Sequence, residues 1–294
     1  MSTSQIIEAS ITLGTHNYQE KPSRLLADET RLSQTVIKDA MQKGAVWLYR
    51  GKSRQRLRRA SRTLKAGDRL VLNYNADLLR QQVPEPDLLH DAGAYSIWHK
   101  PAGLFCQGSR WGDFASINRW VEIHLNQMSD RAERNVFLVH RLDRATTGLI
   151  LLCHSKSAAR LFSELFANGQ ITKRYQAIVH GDFSPIPHRH EISNPVDGKA
   201  ARSLVYCAQK TEAFSLVDVE LLTGRKHQIR QHLSRLGYPV VGDTLYGRGH
   251  DKTYPDLQLQ SVSLGFTCPL TRSVKEFSVA QDKRLQLRFV DDGN

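Results

Sequence analysis

Apolar residues recur at helical spacing in only a few stretches of this chain. After Ser33, the residues Val36, Ile37, Ala40 and Met41 keep a three-and-four spacing, which predicts a helix capped by Ser33 and stopped by Gly44. A second helix is predicted over 155–168, with Ala158, Ala159, Leu161, Phe162, Leu165 and Phe166 facing inward and Gly169 ending it. Short apolar or alternating runs predict strands at 45–49, at 69–74, and at 137–139, 149–153, 176–179, 204–207, 216–222 and 285–290. Their spacing is too irregular for repeated βαβ units, so a mixed α+β fold is expected, with a mainly antiparallel sheet and peripheral helices. Residues 76–92 contain Pro84, Glu85, Pro86 and Asp87, lack periodicity and read as an exposed linker. The chain thus divides into an N-terminal extension (1–20), a small helix-and-hairpin module (21–75), the linker (76–92) and a large domain (93–294).

Length agrees with that division, since 294 residues at about 150 per domain suggest two domains. Hydrophobic residues at 40% and charged residues at 24% exclude a disordered chain or a coiled coil. Cys106, Cys153, Cys207 and Cys268 lie outside metal-clip and redox spacing of one another and read as buried or free thiols. The opening MSTSQIIEASITLG lacks a basic start with an apolar run, and no later stretch reaches 18 apolar residues, so a cytoplasmic protein without membrane contact is expected.

Charge changes the picture more than composition does. Residues 50–69 hold Arg50, Lys52, Arg54, Arg56, Arg58, Arg59, Arg62, Lys65 and Arg69 against Asp68 alone, a net +8 of the chain's +12. This concentration predicts an electrostatic handle for a polyanion, with a solvated loop as the plainer alternative.

Three clusters carry candidate chemistry. In His140-Arg141-Leu142-Asp143-Arg144, an acid lies between two arginines and two apolar strands. Flanking cations favour an ionised carboxylate, suited to nucleophilic or electrostatic work, although a structural ion pair fits the same residues. In 223–232, Gly224 precedes a helix on which Arg225, Lys226 and Arg230 can meet phosphate or carboxylate, while Ile229, Leu233 and Leu236 face the core. Lys173-Arg174-Tyr175 opens a strand, so Lys173 and Tyr175 share a face and Arg174 takes the other.

These pieces in order resemble the RluA family of pseudouridine synthases. Its H-R-L-D and T-S-G motif is matched at 140–148, with Thr147 for serine; its K-x-Y at 173–175; its G-R-T-H-Q-I-R-x-H at 224–232, with Lys226 for threonine. Its G-D-x-x-Y-G is matched at 242–247, its K-P-A-G at 100–103, and its G-K-x-A-x-T at 198–203 with Ser203 for threonine. The L-x-L-H-A strand is altered to Leu257-Gln258-Leu259-Gln260-Ser261, and the following H-P to Cys268-Pro269, which leaves the subgroup open. The resemblance implies Asp143 as the essential nucleophile, Tyr175 as a ring that stacks on the base and assists proton transfer, and Arg230 as the partner of Asp143. It also implies that Arg141, Lys173 and Arg225 hold RNA. The reaction would flip a uridine, break its glycosidic bond and rejoin C5 to C1′, by attack of Asp143 on C1′ or through a glycal, with no cofactor and no metal.

The N-terminal module, through Ser23-Arg24-Leu25, Lys43-Gly44-Ala45-Val46 and Leu64-Lys65-Ala66-Gly67-Asp68, resembles the S4 RNA-binding domain, with Tyr49-Arg50-Gly51-Lys52 in place of its Asn-Gly-Lys step. It implies RNA contacts by Arg50, Lys52, Arg54, Arg56, Arg58 and Arg59, and an RNA partner that is large-subunit ribosomal RNA, with transfer RNA as the alternative. A monomer is expected. The rivals are a non-catalytic RNA-binding or ribosome-assembly protein, and a nuclease using His and Asp. A kinase is excluded because an extra residue interrupts the H-R-D element and no glycine-rich loop or D-F-G accompanies it. A metal site at His188 and His190, or at His227 and His232, lacks ligand spacing and a third ligand.

Overall fold

A computed structural model describes residues 5–128, 134–249, 251 and 254–287. It divides into two compact units. The first comprises Met1–Pro84 with Gln107–Ser129, and the second Glu85–Cys106 with Asp130–Asn294.

The first unit contains β1 (Ile6–Thr12), α1 (Pro22–Thr30), α2 (Gln34–Gln42), β2 (Val46–Arg50), β3 (Ser53–Arg56), β4 (Arg69–Asn75) and α3 (Ala76–Arg80). Its four strands form an antiparallel sheet in the order β1-β4-β2-β3. Residues expected to be an extension therefore form an edge strand, with Ala9 opposite Leu72. The alternation in β1 was missed because its inward residues Ile7, Ala9 and Ile11 are only partly buried. The predicted helix after Ser33 is α2, and Ser33 Oγ accepts from Val36 N at 3.3 Å, a cap that contributes about 1 kcal/mol. Leu26, Ile37 and Met41 pack against Val46, Leu48, Leu70 and Leu72.

The second unit contains β5 (Asp87–Asp91) and β6 (Tyr95–Lys100). After the chain has passed through the first unit, where it forms α4 (Ile117–Met128), the second unit continues with β7 (Phe137–Leu138), β8 (Thr147–Cys153), α5 (Lys156–Ala167) and β9 (Ile171–His180). Then follow β10 (His190–Ile192), β11 (Ser203–Lys210), β12 (Phe214–Leu221), α6 (Gln228–Arg235), β13 (Leu259–Thr267) and β14 (Val274–Ser278). The sheet runs β10-β11-β12-β9-β13-β8-β6-β5, with β14 beside β13 and β7 beside β8, and among the described residues only the β13–β8 pair is parallel. This is a mixed α+β protein dominated by antiparallel pairing.

Two expectations are corrected. Residues 76–92 are not a bare linker: Asn75 Oδ1 caps α3 by accepting from Leu78 N, and β5 pairs with β6 beyond the prolines. Residues 285–287 form no strand; instead Leu285 and Leu287 pack against Ile178, Phe214 and Tyr254, and 288–290 lie outside the described residues. The α5 prediction is matched at both ends, with Ser155 Oγ accepting from Ala158 N and Phe162 buried against Tyr95, Leu149 and Phe266.

Gly148 shows why small residues flank the central strands. Its φ is +102°, and a side-chain carbon there would lie 2.1 Å from the Ser261 carbonyl oxygen, so the parallel β8–β13 pairing admits only glycine. That pairing fixes the loop just before β8, and Asp143 lies on that loop.

Candidate active site

The loop 139–146 lies between β7 and β8 and is fastened from several sides. His140 Nε2 accepts from Leu151 N at 2.9 Å while its ring stacks on Phe166, with centroids 4.4 Å apart. Burial, aided by the charge of Lys173, pulls the His140 imidazole down to about 3, so it stays neutral and can accept. Leu142 N donates to Cys106 Sγ, and Leu142 is itself buried. Lys100 is fully buried at the end of β6 and gives its ammonium hydrogens to the carbonyls of Pro101, Leu104 and Arg144; burial lowers it to about 8. These bonds hold the backbone on both sides of Asp143.

Asp143 has partners that the sequence order does not suggest. Its neighbour Arg141 is exposed, and Arg144 turns to the Gly103 carbonyl and the Phe105 ring. The cation that meets the carboxylate is Arg230 on α6, with Nη1 3.2 Å from Oδ2. Arg230 is in turn gripped by Asp243, Nε to Oδ2 at 2.7 Å and Nη2 to Oδ1 at 2.7 Å. Asp243 is 1% exposed. Burial would raise its carboxyl, but the Arg230 hydrogen bonds, with those from Tyr246 N and Leu245 N, outweigh that and hold it below the usual carboxylate range. The fork leaves Nη1 directed to Asp143, so one guanidinium connects two carboxylates.

His227 approaches the other oxygen. It takes a left-handed backbone (φ 54°) just before α6, which places Nε2 3.4 Å from Asp143 Oδ1 and Nδ1 3.0 Å from the Tyr246 hydroxyl. Burial lowers the imidazole, against the opposing pull of Asp143, and favours the neutral ring. The turn before it is organised by Gln228, whose Oε1 accepts from Thr223 Oγ1 and Arg225 N while Nε2 donates to the Arg202 carbonyl and Ser203 Oγ. Helix α6 buries Ile229 and Leu233, whereas Leu236 is only half-buried.

On β9, Lys173 and Tyr175 are buried on one face and Arg174 is exposed on the other. Tyr175 lies between Val219 of β12 and Ser261 of β13, and burial pushes its phenol up, so the hydroxyl stays protonated. Burial lowers the Lys173 ammonium. Asp143, Tyr175 and Arg230 line one cavity of about 730 Å³, with Arg141, Lys173 and Arg225 also on its wall. Arg225 is exposed there, its Nε bonded to the Ala200 carbonyl. Among the described residues no three His, Cys, Asp or Glu side chains gather as a metal site. His232 is buried with its nitrogens engaged by Ser203 Oγ and the Asn194 carbonyl.

Residues 94–235 match the family described as RNA pseudouridylate synthase. An uncharacterized RNA pseudouridine synthase of Bacillus subtilis, YjbO, is 32% identical over 231 residues, covering 73% of this chain and 80% of its own. The tRNA pseudouridine synthase C of Haemophilus ducreyi is 32% identical over 238 residues, covering 70% of this chain and 95% of its own. The chain belongs to the RNA pseudouridine synthase family. The solved structure of human RNA Pseudouridylate Synthase Domain Containing 4 shares the fold, with a TM-score of 0.56 at 23% identity over 66% of this chain and 88% of that one. This pseudouridine synthase is thus an isomerase whose substrate is RNA.

The basic run of the synthase is less available to RNA than its sequence suggests. Arg50 forms a bidentate pair with Asp68, Nε to Oδ1 at 2.7 Å and Nη2 to Oδ2 at 2.6 Å. Arg56 and Arg58 both pair with Asp113, at 3.0 and 2.6 Å, and Arg56 also donates to the Gly44 and Ser109 carbonyls. Lys52, Arg54 and Arg59 are exposed. Composition counted these cations alike; the partners of three of them are carboxylates, one of which lies some fifty residues further along the chain. Asp243, His227, Gln228 and Lys100 were not singled out as site residues, though all four fall inside motifs matched at 100–103, 224–232 and 242–247.

Proposed function

We propose that Asp143 is the catalytic carboxylate of this pseudouridine synthase, that Tyr175 stacks on the flipped uracil, and that Arg230 holds Asp143 in register. The observation that carries this reading is the chain Asp243–Arg230–Asp143, in which a buried fork on Asp243 directs Nη1 of Arg230 to one oxygen of the half-buried Asp143 carboxylate. Attack on C1′ and proton abstraction toward a glycal both need that carboxylate held in one position, which the guanidinium supplies. Tyr175, protonated and aimed into the same cavity, offers a ring face to the base and a hydroxyl for proton transfer while uracil turns. The cavity volume falls in the range that encloses one small ligand, which suits a single nucleotide drawn out of its stack. Arg141, Lys173 and Arg225 meet the phosphates on either side of it.

The N-terminal unit, read as S4-like, supplies RNA affinity outside the catalytic cavity, and large-subunit ribosomal RNA is the proposed target. Transfer RNA is a second reading, favoured by the similarity to tRNA pseudouridine synthase C. The test is tritium release from RNA labelled at uridine C5, prepared from cells lacking this gene and separated into ribosomal and transfer fractions. Wild type releases tritium from the ribosomal fraction without shortening the RNA, and Asp143→Ala releases none while still binding it. Equal release by Asp143→Ala overturns the role of Asp143, and release from transfer RNA alone overturns the target.

A further inference from the structure

We propose that the outer face of the four-stranded sheet in the N-terminal unit is a stacking platform for unpaired nucleotides of the RNA substrate, with Trp47 and Tyr49 as its rings and Arg54 and Arg69 as its cations. The proposal deepens the RNA-holding role given above to this unit and rests on it.

Strand β2 alternates. Val46 and Leu48 point into the core under α1 and α2, so Trp47 and Tyr49 project from the opposite face, where both stay partly exposed. Register then places cations beside each ring: Arg56 of β3 is opposite Trp47, and Tyr49 lies between Arg54 of β3 and Arg69 of β4. The guanidinium of Arg56 sits 4.2 Å and that of Arg54 5.3 Å from the Trp47 ring centre, and Arg69 sits 4.4 Å from that of Tyr49. Arg110 pairs with Glu8 on one part of this face, where Asn73 is buried, and the part around Tyr49, Arg54 and Arg69 stays open; an open sheet surface is ordinarily polar, so rings interleaved with arginines there call for a ligand that has both flat faces and negative charge. RNA, the substrate of this family, has both.

The cations divide by availability. Arg56 is committed to Asp113 and the Ser109 carbonyl, which props it against Trp47. Trp47 is oriented further by its Nε1, which donates to the Arg110 carbonyl at 3.2 Å. Arg54 and Arg69 are exposed and make no ion pair among the described residues, so they are the cations on this face that phosphate can reach.

Spacing selects the form of the RNA. Trp47 and Tyr49 are two residues apart on one strand, about 6.6 Å, roughly twice the 3.4 Å step of bases in a helix. Two bases lying one on each ring are therefore unstacked from each other, as in a loop or a single strand.

The test uses the full chain with a fluorescent twelve-nucleotide oligouridylate and a twelve-base-pair RNA duplex, titrated across salt concentrations. Tyr49→Ala weakens oligouridylate binding about tenfold at every salt concentration with the salt slope unchanged, duplex binding changes less, and Tyr49→Phe restores affinity. Arg69→Gln and Arg54→Gln each flatten the slope by about 0.7. Lys52→Gln with Arg59→Gln serves as a comparison away from the rings. If that pair weakens binding while Tyr49→Ala binds as wild type, the unit holds RNA but the platform is wrong. If neither does, the RNA-holding role of this unit fails as well. Circular dichroism of Tyr49→Ala must match wild type, and the Tyr49→Phe result decides the matter if it does not.

Discussion

Asp143 has its two oxygens served by different kinds of group, a permanently charged guanidinium at 3.2 Å and an imidazole at 3.4 Å. The geometry of the first depends on the buried Asp243, which grips the rest of the guanidinium. Asp243→Asn keeps the size but removes one half of the bidentate grip, so Arg230 can swing away from Asp143. Turnover is expected to fall on the order of 10²-fold with RNA affinity retained, as single-turnover kinetics with an equilibrium binding assay will show. His140 is the residue whose protonation the fold most strongly opposes. Burial, aided by the charge of Lys173, pulls its imidazole from 6.5 down to about 3, so below pH 6.5 the unfolded chain binds a proton that the folded chain refuses. Stability is therefore complete above pH 6.5 and falls as the pH drops toward 3, by at most about 1.4 kcal/mol for each unit. Urea midpoints at pH 7.5 and 5.0 measure this, and His140→Gln, which keeps an acceptor for Leu151 N, should lose less between them than wild type. Equal losses would show that other histidines carry the effect. That Asp143, Tyr175 and Arg230 would line one cavity was legible in the sequence because short motifs surround each of them. Asp243 and His227 were not, because their roles follow from a fork and a left-handed turn that are visible only in three dimensions.

At the scale of elements, hydrophobic periodicity located α2 and α5 with their N-caps, and β2 and β4, since each buries one clear face. It failed for β1 and β5, whose inward residues are only partly buried, and for 285–287, whose leucines fill a side cluster without joining the sheet. Charge was the least legible signal. Asp113 receives both Arg56 and Arg58, and this one carboxylate fastens the segment 107–116 to the β2–β3 hairpin. Asp113→Ala leaves two half-buried guanidiniums with carbonyl partners but no counter-ion and should cost about 2–3 kcal/mol, read as a lowered urea midpoint. An unchanged midpoint would mean that both arginines find water at no cost.

For the whole molecule, a net charge of +12 with most of it in twenty residues implies RNA affinity that falls steeply with salt. The structure changes which substitutions should reveal it. Lys52→Gln with Arg59→Gln should flatten the dependence of log K on log salt, whereas Arg50→Gln and Arg58→Gln should act chiefly on folding, since carboxylates already hold those side chains. A filter-binding series from low to high salt separates the two outcomes.

The excursion of residues 107–129 into the N-terminal unit also orders events during synthesis. When the first 84 residues have emerged from the ribosome, Arg56 and Arg58 are outside it but Asp113 is not, so the two guanidiniums wait without their carboxylate. Those cations are then neighbours of the ribosome's own RNA. The N-terminal unit completes itself only after β5 and β6 of the catalytic unit have been translated, and a fragment cut at the apparent boundary would lack the carboxylate that finishes it.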